Sequence, residues 1–139
     1  MKHNLILRVV SKLLIPIIVL YALYVQFHGD FGPGGGFQAG VIFSVAFILY
    51  SLVYGLDTAE RVMPESVLRL LASLGVLIFA GTGVVSLLRG GNFLDYNVLA
   101  TDVITGQHIG ILVIELGVGI TVSSVMLLIF FTFTRRGRE

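Results

Sequence analysis

Glu115 stands alone as a charge inside a long apolar stretch, and His108 precedes it by seven residues. On a helix that spacing is nearly two turns, so the imidazole and the carboxylate share one face, with Ile111 and Leu112 between them. At 1.5 Å per residue Glu115 lies on the order of 10 Å below a surface drawn at His108. A carboxylate at that depth costs several kcal/mol unless it is paired, hydrated or neutralised, and such costs are tolerated mostly at functional sites. A proton or hydrated cation could step between Glu115 and His108 through water. Gln38 adds a polar group at the start of the second apolar stretch, and His28, Asp30, Asp95 and Asp102 fall in the connections on the same side. Glu115, His108 and Gln38 are therefore the candidates for an ion or proton path, arranged as a half-channel open to one side. The competing reading is structural: Glu115 hydrogen-bonds to a helix of another subunit and fixes an assembly, and His108 sits near the lipid headgroups.

Catalytic chemistry lacks its parts. The chain has no cysteine, no His, Asp or Glu cluster at metal-ligand spacing, and no Ser-His-Asp set that can be placed at one depth. No catalytic residue, metal or cofactor is expected, and the chain is not read as an enzyme.

The elements that position these residues follow from composition. Of 139 residues, 56% are hydrophobic and only 12% charged, with a mean hydropathy of +0.98. A water-soluble domain of this size does not look like that. Crossing a bilayer core about 30 Å thick takes roughly 20 apolar residues. Residues 37–56, 70–88 and 118–134 carry no charge, and the last window extends back across Glu115. Residues 9–27 make a fourth span, with Lys12 able to reach the headgroups while its carbons stay apolar. The same segment could be a signal peptide, but no small-residue cleavage site follows it. The expectation is an all-α integral membrane bundle of four transmembrane helices, about 9–27, 37–56, 68–88 and 108–134, forming a single membrane domain over 1–139.

Loop charges set the orientation. Lys2, Arg8, Lys12, Arg61, Arg69, Arg135, Arg136 and Arg138 fall on one side, and Arg89 alone on the other. Cytoplasmic loops retain lysine and arginine, so both termini are expected in the cytoplasm.

Between the first two spans lies a run dense in glycine, from Gly29 through Gly34, Gly35 and Gly36 to Gly40, with Pro33 and Phe37 inside it. No ordinary helix survives such a run, which permits positive φ and close backbone approach. Either it is a plain tight hairpin, or Gly34, Gly35, Gly36, Phe37 and Gly40 pack against another subunit. It is no phosphate-binding loop, since neither Lys-Ser nor Lys-Thr follows and no strand precedes it. Pro16 is placed in the first turns of the first span. Residues 57–64 form the second connection, and Pro64 and Glu65 suit the first turn of the third helix. Gly75, Ala80, Gly81, Thr82 and Gly83 form a small-residue patch suited to close helix packing. Residues 89–107 form the longest loop.

The stretch Pro33-Gly34-Gly35-Gly36-Phe37-Gln38-Ala39-Gly40 resembles the signature of the MrpB (MnhB) subunit of Mrp-type multisubunit Na+/H+ antiporters. The short basic N-terminus, the four-span plan, and Gly106-Gln107-His108-Ile109-Gly110 leading into Glu115-Leu116-Gly117-Val118-Gly119 are similar to that family too. The resemblance implies a multi-pass subunit in a bacterial or archaeal cell (inner) membrane. There, other antiporter subunits would be its partners, with membrane lipids around it and no nucleic acid involved. Such a complex exchanges Na+ for H+, and this subunit would serve its assembly and activity. The resemblance extends to subunits of membrane-bound hydrogenase-type complexes, and a purely structural scaffold is the remaining alternative.

Overall fold

The computed structural model describes residues 4–29, 31 and 34–138. Helix α1 spans Leu5–Phe27, α2 Gly36–Tyr54, α3 Leu56–Val62, α4 Glu65–Leu88 and α5 Val103–Arg136, with a single 3-10 turn at Tyr96–Val98. There is no strand among the described residues. The four long helices, α1, α2, α4 and α5, are each long and apolar enough to cross a membrane.

Capping explains where the helices depart from the expected bounds. Asn4 Oδ1 accepts from the Leu7 amide at 3.2 Å, so α1 begins four residues before position 9. That earlier start puts Pro16 well inside α1 and not in its first turns, and the helix continues through it. Asp102 caps α5 by accepting from both the Thr105 amide, at 3.3 Å, and the Thr105 hydroxyl, at 3.0 Å. Residues 103–107, expected in the loop, are therefore helical. At Gly55, φ is +97°, a conformation that L side chains rarely adopt, and the chain turns there from α2 into the short α3. Pro64 then separates α3 from α4.

The helices pack as a row. Helix α1 lies on α2, α2 on α5 and α5 on α4, whereas α1 touches α5 only slightly. Close approach holds the row together. A Cβ on Gly40 would stand 2.8 Å from the Gly119 carbonyl, and one on Gly75 would stand 2.5 Å from the Gly117 carbonyl. Thr121 donates its hydroxyl to the Ala72 carbonyl at 3.2 Å across that second crossing. Of the small-residue patch on α4, then, Gly75 meets α5. Gly83 lies under Phe93 of the following loop, and Gly81 faces open space.

Leu68, Leu127 and Phe131 are buried together with Leu56 and Ala59 of α3 at one end of the row. Arg135 donates to Glu60 at 2.8 Å and to Glu65 at 2.7 Å there, Arg138 pairs with Asp57 at 3.1 Å, and Arg69 pairs with Glu65. The Tyr54 hydroxyl donates to the Arg8 carbonyl at 3.3 Å. Helices α1 and α5 thus both place their basic ends at this arginine-rich end. Elsewhere large apolar side chains cover the outside, Leu13, Leu20 and Leu77 each being about two-thirds exposed. In water such a surface would aggregate; in lipid it is matched.

Candidate functional site

The far end of the row is built around Glu115. Helices α2 and α5 run side by side in the same direction, with Gly36 beside Glu115 and Gly40 beside Gly119. Because α2 starts at that level, Gly29 and Gly35, near the two ends of the glycine-rich connection from α1, lie against the Glu115 side chain. A Cβ on Gly29 would come within 2.5 Å of Oε2 and 2.6 Å of Oε1, and one on Gly35 within 3.0 Å of Oε1. A Cβ on Gly36 would run into the main-chain carbonyl of Glu115 itself. Three glycines from the same connection therefore leave out side chains where Glu115 stands. Gly35 also has φ +134°, the region where glycine is strongly preferred, and this kink starts α2 directly against α5.

The other expected path residues sit around this cradle in different ways. Gln38 is exposed, and its Oε1 stands 3.6 Å from the position of a Gly35 Cβ, so Gln38 and Glu115 oxygens converge on the same glycine. His108 is exposed and its ring stacks on Phe31, with centroids 6.5 Å apart. Phe31 in turn meets His28 at 6.1 Å, and His28 stacks on Tyr24 at 5.1 Å. One connection thus touches both ends of the His108–Glu115 face, through Phe31 and through Gly29 and Gly35. Asp30, Gly32 and Pro33 lie outside the described residues.

The glycine candidates for packing meet this chain's own helices. Gly34 lies on the Val25 carbonyl, with 3.1 Å left for a Cβ, Gly35 and Gly36 lie on Glu115, and Gly40 lies on Gly119 and Val122. Phe37 alone of that group points outward, 61% exposed.

Depth is read from α5. Twenty residues separate Glu115 from Arg135, which at 1.5 Å each is about 30 Å, the thickness of one bilayer core. Glu115 and the Arg135 cluster thus lie about one core thickness apart along α5. The twelve residues of α5 before Glu115 continue for about 18 Å beyond that level. There the 89–102 loop covers them: Tyr96 lies on Gly106 and Gly110, and Arg89 donates to the Val98 and Leu99 carbonyls at 3.3 and 2.9 Å. Asp95 and Asp102 spend their carboxylates on local turns, accepting from the Asn97 and Thr105 amides. Among the described residues no group of three or more His, Asp or Glu side chains could hold a metal ion.

One polar residue escaped sequence reasoning. Gln26, near the end of α1, is only 5% exposed, and its Oε1 lies 2.6 Å from the position of a Gly119 Cβ. Its Nε2 is buried without a hydrogen-bond acceptor among the described residues. An uncharged amide beside Phe27 reads as a headgroup residue, and only its place in an otherwise apolar span could have flagged it.

Comparison with known proteins bears on the same segments. Residues 6–128 match the family described as "Domain related to MnhB subunit of Na+/H+ antiporter". Proteins named "Putative antiporter subunit mnhB2" from Staphylococcus aureus strains Newman and JH1 are each 34% identical over 138 residues. The alignments cover 96% of this chain and 97% of each relative.

Proposed function

Because the chain belongs to the MnhB family, we propose that it works as a small multi-pass subunit of a multisubunit Na+/H+ antiporter in the cell membrane, with Glu115 handling protons there. It is a transport subunit and not a catalyst. Its partners are other antiporter subunits and the surrounding lipid, and Na+ and H+ are handled by the whole complex. The arginine-rich end faces the cytoplasm, because basic residues are retained on that side, and the glycine-covered end faces out.

The observation that carries this reading is the close approach of Gly29 and Gly35 to the Glu115 carboxylate at the level where α2 begins, with Gln38 on the far side of Gly35. A half-buried carboxylate to which Gly29 and Gly35 bring no side chains is the titratable group that this reading assigns to proton handling. His108, two turns further out on the same helix, extends the polar face toward the outside.

Changing Glu115→Gln preserves shape and removes titration. The complex should assemble normally, while Na+-driven proton movement in vesicles falls or shifts its pH dependence between about pH 6 and 9. A specific contact favours the structural alternative: Gly36 packs on the main-chain carbonyl of Glu115, which needs no carboxylate. Unchanged antiport by assembled Glu115→Gln complex across that range would leave only this structural role.

A further inference from the structure

The carboxylates Asp57, Glu60 and Glu65 at the arginine-rich end are all paired, with Arg138, Arg135 and Arg69. Among the described residues, Arg8, Lys12, Arg61 and Arg136 at this end have no carboxylate partner. Arg8 and Lys12 differ from the other two in sharing a helix face. Four residues is about one turn, so both exposed side chains leave α1 on the same side, about 6 Å apart along the axis. Side chains on a helix lean toward its N-terminus, and the long Lys12 chain therefore carries its ammonium toward the level of Arg8. Like charges at this spacing repel, and an anion between them removes that cost.

Arg8 is also held in place. Its guanidinium carbon stands 5.4 Å from the centre of the Tyr54 ring, and the Tyr54 hydroxyl donates to the Arg8 carbonyl at 3.3 Å, so α2 grips the residue twice. Tyr50 backs the Tyr54 ring, with centroids 4.8 Å apart. A guanidinium lying over a ring keeps its edge N–H donors available, and the Arg8 side chain makes no hydrogen bond among the described residues. Around the two cations the surface is apolar: Val9 beside them and Pro16 and Leu20, one and two turns past Lys12, are exposed. In the register that sets Gln26 against Gly119, Arg8 lies about 27 Å and Lys12 about 21 Å back along α1, while Arg135 lies about 24 Å down α5. Both cations therefore stand within about 3 Å of the Arg135 level.

We propose that Arg8 and Lys12, with Tyr54 as the platform for Arg8, bind the phosphate of an anionic glycerophospholipid whose acyl chains lie along α1 past Pro16 and Leu20. The fork of Arg8 takes two phosphate oxygens, and Lys12 adds a point charge from the membrane side. An inorganic phosphate gains nothing from the apolar face, whereas a lipid uses both parts of the site. The site depends on the chain lying in a membrane and not on what Glu115 does.

The test uses the protein with its co-purifying subunits in phosphatidylcholine nanodiscs. The probes are phosphatidylglycerol and phosphatidylcholine carrying the same diazirine near the top of one acyl chain, each added as a minor component. The readout is the ratio of their labelling on the α1 segment between Val9 and Leu20, which should favour phosphatidylglycerol in the wild type. Arg8→Gln and Lys12→Gln should each lower that ratio about fivefold, the change that corresponds to one basic residue at an anionic membrane surface. Tyr54→Leu should lower it through Arg8, and Tyr54→Phe, which keeps the ring, should restore most of it. Arg136→Gln removes the same charge from α5 at this end and should leave the ratio unchanged. Any of four results would overturn the proposal. They are equal labelling by the two probes in the wild type, a ratio indifferent to Arg8→Gln and Lys12→Gln, an equal loss from Arg136→Gln, and displacement of the lipid by inorganic phosphate at constant ionic strength. The third would reduce the effect to general charge, and the fourth would assign the site to a soluble anion.

Discussion

The two ends of this molecule are held together by opposite means. At the glycine-rich end, Gly29, Gly35 and Gly36 let backbone lie directly on Glu115, and no space remains for a methyl group. At the arginine-rich end, Arg135 and Arg138 reach Glu60, Glu65 and Asp57 through long, half-exposed side chains. Close-packed contacts have steep costs, because interiors relax only partly around added volume. Exposed ion pairs have shallow ones, because water and salt compete for both partners. The chain thus spends its rigid packing where the titratable group is, and its adjustable contacts where the basic residues are.

That contrast can be broken in graded steps. Gly36→Leu should do the most damage, since its Cβ meets the Glu115 carbonyl and α2 must leave α5. A loss of about 3 kcal/mol or more is expected, seen as a collapse in the yield of folded protein in mild detergent. Gly35→Ala should cost about 1–3 kcal/mol through its φ of +134°, lowering the thermal midpoint measurably while still allowing purification. Arg135→Gln should lower that midpoint less than Gly35→Ala, with the difference from wild type shrinking as salt is added. Arg138→Gln should be nearly silent, because its partner Asp57 is 81% exposed. If Arg135→Gln proved more damaging than Gly36→Leu, the division between the two ends would be wrong.

Much of this was legible in the sequence for definite reasons. Charge-free windows mark three of the four long helices whatever their neighbours do, α1 is marked by an apolar run that tolerates Lys12 near its start, and an acid inside the last apolar stretch marks Glu115. The start of α5 was misplaced because hydropathy fades before Asp102, whereas the hydrogen bonds that start the helix come from a polar cap. Helix α3 was invisible for a related reason, being seven residues of mixed charge with no periodicity to detect. The glycine run announced that something lies close against it. A missing side chain does not say what fills the space, so its contact with Glu115, nearly eighty residues away, had to come from the fold. Gln26 was passed over because a neutral amide disturbs neither charge nor hydropathy counts.

The central claim is that the glycine connection of this chain covers its own Glu115 carboxylate. A solid-state NMR measurement of the distance between Glu115 Cδ and Gly29 Cα, on labelled protein in lipid bilayers, tests it most directly. A Cβ at about 1.5 Å from that Cα would stand 2.9 Å from Cδ, so the two carbons should lie within about 4.5 Å. A separation of twice that would place the connection elsewhere and remove the site from which proton handling is argued.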